Sequence, residues 1–331
     1  MGALVGYVDR DVVGGDGDGT SWANAYTTLS AWEAGDQQSL VDDGGDTYQC
    51  WVRASSGTAD TVQCTINGWV SVPTYWLRIS AADGDQAIPD EWDTARWRLD
   101  VASGEGIYQV GGHLILDGLQ IEASNDCVDA ALAYSHIILY GCRLQNGGNG
   151  IYMSRSGNNV GIKCYYTIFD TMSSDGAYCR NNVGGETFSF YNCIFYNCSS
   201  QGVQAVAGPN TIKNSMFSDC ADDITGTITV DYNIADDADA RGTNGADAAS
   251  SNWALELTAR ATGDFTLVSG GNAEEGGDDD PSSGLYSVDM EGTSYVSPWA
   301  CGVQEIKAGG AANAPTGNLH GPLGGPLKGV A

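Results

Sequence analysis

A six-residue pattern that recurs between residues 112 and 235 constrains the fold of this chain more than any other feature. Successive copies begin 23, 25, 26, 22 and 18 residues apart. A repeat of this length is typical of a solenoid, in which each unit buries its apolar side chains only against its neighbours. The copies are Leu116–Ile121, Leu139–Leu144, Cys164–Phe169, Phe190–Phe195, Ile212–Phe217 and Val230–Ala235.

The positions of the pattern have distinct residue types. The first, fourth and sixth positions are mostly apolar or small, so we expect them to point inward and to stack about 4.8 Å apart on neighbouring coils. The third position holds Gly, Asn or Tyr, and Gly and Asn tolerate the left-handed conformation of a sharp bend. The pattern therefore predicts a strand, a bend and a second strand in each coil of an all-β parallel β-helix.

The outward-facing fifth position is apolar in four consecutive copies, at Ile168, Ile194, Met216 and Ile234. An exposed apolar stripe usually marks an interface, so we predict that these residues form the intersubunit face of a homotrimer. The alternative is that a loop or the C-terminal segment of the same chain covers them.

A second outward column, at the second position, contains Tyr140, Tyr165 and Tyr191. We expect these rings to stack and stabilise neighbouring coils. The alternative is a sugar-contact strip, since aromatic faces suit the C–H groups of a carbohydrate.

Both ends of a β-helix need covering, because open end coils pair with other chains. Residues 19–35 predict a short N-terminal capping helix, with Thr20 or Ser21 as its cap and Trp22 and Trp32 near one face. Strand-like runs follow in residues 47–101, and we predict further strands at 263–267 and 299–306. The predicted divisions are a cap (1–46), irregular first coils (47–111), regular coils (112–235), a closing segment (236–306) and a tail (307–331).

The tail is rich in Gly, Ala and Pro and has no core of its own. It contains Gly-Pro-Leu twice, ending at Leu323 and Leu327. We predict that this tail serves assembly by docking on a neighbouring subunit or on another virion protein such as the capsid.

The net charge and the apolar content of the chain limit the classes of molecule that it is expected to bind. Forty-two acidic residues against fourteen basic ones give a net charge of −28, which disfavours nucleic acid and anionic membrane as partners. No apolar run approaches the length of about 20 residues that spans a membrane, and no signal peptide is visible. The ten cysteines include no C-x-x-C pair, and we expect mostly reduced, buried thiols.

Catalytic and metal-binding patterns are weak. Acids on the predicted coils, accompanied by Arg155 and Arg180, form no diagnostic constellation for polysaccharide cleavage. Acidic runs at 16–19, 42–46 and 278–280 match no EF-hand loop, so we interpret them as turns rather than Ca²⁺ sites and expect no cofactor. The acids considered are Asp126, Asp129, Asp170 and Asp175.

Both ends of the chain resemble a known family. Residues 16–29, DGDGTSWANAYTTL, are similar to the opening of bacterial and phage right-handed β-helix proteins. Residues 264–273 and 301–305 resemble their closing segment, although Cys301 stands where an Asp is common. The resemblance covers about residues 7–306 and implies a right-handed helix. It does not fix a function, because such proteins include adhesins, polysaccharide enzymes and virion parts.

These observations lead to one functional prediction with two alternatives. We expect a non-enzymatic phage virion structural protein, as a capsid decoration, spike or tail-associated β-helix, located on the virion surface. The first alternative is a polysaccharide depolymerase, either a lyase or a glycoside hydrolase. The second is a bacterial cell-surface adhesin, and a host surface glycan remains a candidate ligand.

Overall fold

Strands from successive turns of the chain lie side by side and parallel, so the chain folds as a parallel β-helix, as the repeat predicts, and the helix is right-handed, as the family resemblance implies. The computed structural model describes residues 4–41, 47–72, 74–130, 135–153, 161–180, 187–247, 253–274, 276–279, 281–282, 288–291, 293–294 and 299–305. The strands form three faces, called here faces A, B and C.

Face A contains the longest regular strands and begins at the N-terminus. Its first seven strands are Leu4–Asp9, Tyr48–Arg53, Leu77–Ala81, Gly112–Asp117, Ser135–Tyr140, Gly161–Tyr165 and Phe188–Tyr191. Two long strands, Gln201–Lys213 and Asp222–Asp231, continue face A with their C-terminal halves. Their N-terminal halves belong to face C.

Faces B and C consist of shorter strands. Face B contains Arg98–Val101, Gln120–Ala123, Arg143–Gln145, Ile168–Asp170, Ile194–Tyr196, Met216–Ser218, Ile234–Ala235 and Ala246–Asp247. Face C contains Cys64–Ile66, Ile107–Gln109, Val128–Ala130, Ile151–Met153 and Ala177–Cys179 before the two long strands.

The bend between faces A and B follows the sequence pattern at every copy of the repeat. The third position is left-handed throughout, including Tyr166 at φ 38° and Tyr232 at φ 55°. These two bulky residues adopt the same backbone as Gly and Asn because the coils above and below fix the path of the chain. The remaining members are Gly118, Gly141, Asn192 and Asn214.

Aromatic side chains stack inside the helix in register. The Phe195 ring lies between those of Phe169 and Phe217, with centroid distances of 4.6 and 4.8 Å and nearly parallel planes. All three are fully buried. The predicted stacking of the sixth position is confirmed.

The N-terminal helix is shorter than the sequence predicts. One 3₁₀ turn spans Trp22–Asn24, and the α-helix spans Leu29–Asp36, where the Thr28 side chain accepts a 3.0 Å hydrogen bond from the Ala31 N–H. Tyr26 separates them because its backbone bonds to the first strand, through Tyr7 O and Asp9 N–H at 2.9 and 2.8 Å. The helix cap predicted at Thr20 or Ser21 is therefore wrong.

After the last coil the chain runs back along the helix. This closing segment has short helical turns at Ala238–Arg241, Trp253–Leu255 and Arg260–Thr262, and an antiparallel pair of strands, Leu257–Ala259 and Asp264–Leu267. The strand predicted near residue 265 is confirmed, whereas residues 299–305 form no strand. Among the described residues, no helix is long and apolar enough to cross a membrane.

Candidate functional site

The apolar stripe predicted as an intersubunit face lies inside the protein. Ile168, Ile194, Met216 and Ile234 are at most 1% exposed. They form a second core with side chains of the closing segment, which include Trp253, Leu257, Phe265, Met290, Trp299 and Val303. The interface prediction for these four residues is corrected, since the stripe needs no second subunit to bury it. The alternative that the same chain covers it is what the structure shows.

The tyrosine column lies partly under the same cover. Tyr140 and Tyr165 stack at 4.9 Å and are 8% and 1% exposed, and Tyr191 stacks on Tyr165 at 5.7 Å. Only Tyr191 of the three is half-buried rather than buried, so the column offers no continuous aromatic surface to a glycan. The sugar-contact alternative at Tyr140 and Tyr165 is therefore wrong.

The coil carboxylates have structural partners. Asp126 accepts hydrogen bonds from Asn149, whose side-chain oxygen in turn accepts from the Asp175 N–H, and Asp175 accepts from the Gln201 N–H. This ladder links four successive coils at one edge. Asp170 pairs with the buried Arg143 at 2.8 Å.

The remaining sequence candidates are scattered or lie outside the described residues. Asp129 lies on a face C strand and Arg180 is exposed. Asp18 accepts from Thr20, and Asp278 pairs with Lys213 at 2.8 Å, so both behave as local structural acids. The candidates outside the described part of the chain are Arg155, residues 42–46, Asp280, Leu323 and Leu327.

A cleft of about 390 Å³ opens near the N-terminal end of face A. This volume falls within the range of about 300–1,000 Å³ that is typical of small-molecule sites. The residues that line it combine aromatic rings, one cation and two carboxyls: Tyr7, Trp22, Trp51, Arg53, Ala82, Asp83 and Asp85. We consider this cleft the candidate functional site.

Two neighbouring strands and the preceding 3₁₀ turn supply the aromatic residues of the cleft. Tyr7 and Trp51 lie side by side on the first two face A strands, at outward-facing positions between buried residues. Trp22 lies beside them because the 3₁₀ turn that contains it ends before Tyr26. The Trp22 ring contacts the Tyr7 ring edge to face, with a centroid distance of 4.8 Å. All three are half-buried, so part of each ring is available to a ligand.

Arg53 is held rigidly at one side of the cleft. Its Nε lies 2.7 Å from Oδ2 of Asp9, whose side chain is only 1% exposed. Its guanidinium carbon lies 4.1 Å from the centre of the Trp22 ring. The charge of Arg53 is therefore balanced within the protein, and the group is oriented by two contacts rather than left free.

Asp85 differs in environment from Asp83. Both hydrogen bonds that the structure gives the Asp85 side chain reach Oδ1, from the backbone N–H groups of Ala54 and Trp97 at 3.1 and 2.8 Å. Burial, with the nearby Asp9 carboxylate, raises the pKa of Asp85 above its ordinary value. Asp83 is exposed. The cleft thus contains one carboxyl biased towards its protonated form and one that solvent reaches.

The cleft is not among the sites that the sequence predicts. The sequence places Trp22 near one face of the predicted capping helix with Trp32, and the repeat does not include Trp51. The sequence signal that could have indicated the cleft is the alternation of inward and outward residues along the strand, because Trp51 lies between the inward residues Cys50 and Val52. An aromatic residue at an outward position of a strand is a candidate for ligand contact.

No protein-family model matches this chain, and no curated protein matches it. Among solved structures, the chain is similar to a crystal structure of the pectate lyase Pel9A, with a TM-score of 0.40 and 11% identity. The match covers 93% of this chain and 97% of that one.

The expectation of a non-enzymatic protein is corrected only to this extent: the similar structure is an enzyme, and a likeness at this TM-score carries no activity over to this chain. At this identity the comparison does not transfer a substrate. The expectation of a phage structural role gains nothing from it. The arrangement of strands establishes the architecture on its own: the chain has the right-handed parallel β-helix fold.

Proposed function

We propose that this chain is a polysaccharide depolymerase that binds its substrate in the N-terminal cleft. The observation that carries the proposal is the combination, in one cleft, of partly exposed aromatic rings with a carboxyl whose pKa is raised. Such convergence of an apolar surface with a few placed polar groups is the usual mark of a ligand site.

The aromatic residues suit a sugar. Tyr7, Trp22 and Trp51 present rings that pack against the C–H faces of a pyranose, while their polar atoms and the nearby carboxyls hydrogen-bond to its hydroxyls. The edge-to-face contact between Tyr7 and Trp22 orients two of these rings before any ligand arrives. Preorganised rings lose little conformational entropy on binding.

The charges favour an uncharged polysaccharide. Arg53 is the basic residue among those that line the cleft, and Asp9 already neutralises it. Asp83, Asp85 and the net charge of −28 repel a polyanion such as a polyuronate. Elimination at a uronate is therefore disfavoured, and hydrolysis of a neutral glycan remains.

Hydrolysis requires a proton donor for the leaving oxygen and a base for water. We assign the donor role to Asp85, since its pKa is raised and its described hydrogen bonds occupy only Oδ1. Asp83, exposed at the same cleft, is the candidate base that removes a proton from the attacking water. The water oxygen bonds to the anomeric carbon as the glycosidic C–O bond breaks, and the Asp85 proton passes to the leaving oxygen, which departs as a hydroxyl.

The test is incubation of the purified full chain with a panel of neutral bacterial and plant polysaccharides and with one polyuronate. New reducing ends from a neutral polymer support the proposal. An unsaturated product from the polyuronate overturns it in favour of a lyase. Binding of a glycan without cleavage overturns the depolymerase and favours an attachment protein, and absence of binding overturns the site itself.

Variants localise the activity. Asp85→Asn keeps an oxygen for the two backbone donors and removes the acid, so we expect cleavage to fall by about 100-fold or more with binding retained. Trp51→Ala should weaken binding by about tenfold. Matched controls are Asp90→Asn and Trp92→Ala, which lie outside the cleft lining and should behave as wild type.

A further inference from the structure

Cys198 and Cys220 occupy equivalent positions on two neighbouring coils. Each follows a left-handed residue at the end of a face B strand, Asn197 at φ 52° and Asp219 at φ 57°. The backbones on either side are joined in register, from Asn197 N–H to Ser218 O at 2.9 Å and from Ala221 N–H to Cys198 O at 3.0 Å. Neighbouring coils are about 4.8 Å apart, which lies within the Cα separation of about 4.4–6.8 Å found in disulfides.

The two side chains meet. The Cys220 thiol points towards the coil of Cys198, with its Sγ 3.7 Å from Phe195 O, and its interaction with the Cys198 thiol is the largest cause that raises the pKa of Cys198. Cys198 belongs to the main core and is 1% exposed, and Cys220 packs against the same core from a partly exposed position. The geometry therefore brings two sulfur atoms together, with one of them accessible from solvent.

The other cysteines have no such arrangement in their strands. Cys164 lies opposite Leu139 and Phe190, and Cys179 lies opposite Met153 and Ala205. All ten cysteines lie in the described residues, and Cys220 is the only one of them that is not buried. The pair is thus set apart from the inert buried thiols by both register and access.

We propose that Cys198 and Cys220 form a reversible disulfide that joins two coils at the edge between faces B and C. The oxidant is a small-molecule disulfide. The Cys220 thiolate attacks one of its sulfur atoms, forms a mixed disulfide and releases one thiol. Cys198 then loses its proton to water and attacks the Cys220 sulfur, so the intramolecular bond forms and the second thiol leaves.

The order in which the two cysteines react follows from the solvent access and the pKa of each thiol. Cys220 reacts first because solvent reaches it. The interaction with Cys220 and burial hold the pKa of the Cys198 thiol well above its usual range, so Cys198 acts second, when the mixed disulfide is already beside it. The product closes a loop of 23 residues, from 198 to 220, that contains the strand Gln201–Lys213.

The test uses the native full chain incubated with oxidised glutathione, then denatured, alkylated and mapped by mass spectrometry. Chymotryptic cleavage after Tyr196 separates Cys193 from Cys198, so the linked peptides identify the partner. We expect one disulfide, between Cys198 and Cys220, with the other eight cysteines alkylated. The Tm should rise by about 5 °C, since closing such a loop stabilises the folded state.

Two variants complete the test. Cys220→Ser should form no disulfide and show no rise in Tm, whereas Cys179→Ser should still form the link. Ten alkylated cysteines after oxidation, a glutathione adduct without the link, or a disulfide between any other pair would each overturn the proposal. The wild-type map gives this answer even where a variant fails to fold.

Discussion

Gly176 offers a sharp test of how the coils pack. Its Cα faces the aromatic stack, and an added Cβ would lie 2.6 Å from Cδ1 of Phe195 and 2.5 Å from the carbonyl oxygen of Gly202 on the next coil. The same close approach recurs one coil away on each side, between Gly150 and Phe169 and between Gly202 and Phe217. These glycines are required for space, because none of them has a positive φ.

The loss of unfolding free energy expected for Gly176→Ala depends on which neighbouring atoms can move. Inserting a methyl group into a packed core costs about 1–3 kcal/mol. The Phe195 ring is held between two parallel rings, and the Gly176 N–H donates a 2.8 Å hydrogen bond to Gln201 O, so neither the ring nor the backbone yields easily. We therefore expect a loss of about 3 kcal/mol, at the upper end of that range.

The measurement is chemical denaturation followed by circular dichroism, with Gly148→Ala as the control. At Gly148 an added Cβ would lie 3.2 Å from its nearest neighbour, Asn125 O, so a much smaller loss is expected. A double-mutant cycle with Phe195→Leu separates the two clashes, because the smaller side chain relieves the ring contact and leaves the carbonyl contact. A Gly176→Ala protein within about 0.5 kcal/mol of wild type would refute the packing argument.

Two further outcomes concern charge and the cover of the β-helix. Burial raises the pKa of Asp289 to about 7 from 3.8, so the folded state binds its proton more tightly than the unfolded state. Stability should be greatest below pH 4 for this group and fall by up to about 1.4 kcal/mol per pH unit as pH rises towards 7. Asp289→Asn should reduce the dependence of the unfolding free energy on pH, measured by denaturation at several pH values. An unchanged dependence would contradict the role assigned to Asp289. Ile194→Asp places a charge under the closing segment and should cost about 3 kcal/mol or more. Faster proteolysis within residues 253–303 than in Ile194→Val is the readout, and equal rates would show that the cover does not depend on this contact.

Local pattern was enough to predict the coils. Alternation along each strand fixes which side chains point inward, and the repeat places each of them beside its equivalent on the next coil. The stack of Phe169, Phe195 and Phe217 and the left-handed bends at Asn192 and Asn214 follow from that alone. They could be predicted because each contact joins positions that are separated by one repeat length.

Only the tertiary structure decided which outward surfaces remain open. The apolar stripe at Ile168 and Ile194 looks the same in sequence whether a second subunit or the chain's own closing segment covers it, and the structure shows the closing segment. The cleft unites Tyr7, Trp22 and Asp85, which share no repeat offset. Periodicity encodes contacts between equivalent positions of neighbouring coils, whereas these contacts arise from segments outside the repeat. The positions of these segments depend on the path of the whole chain around the β-helix.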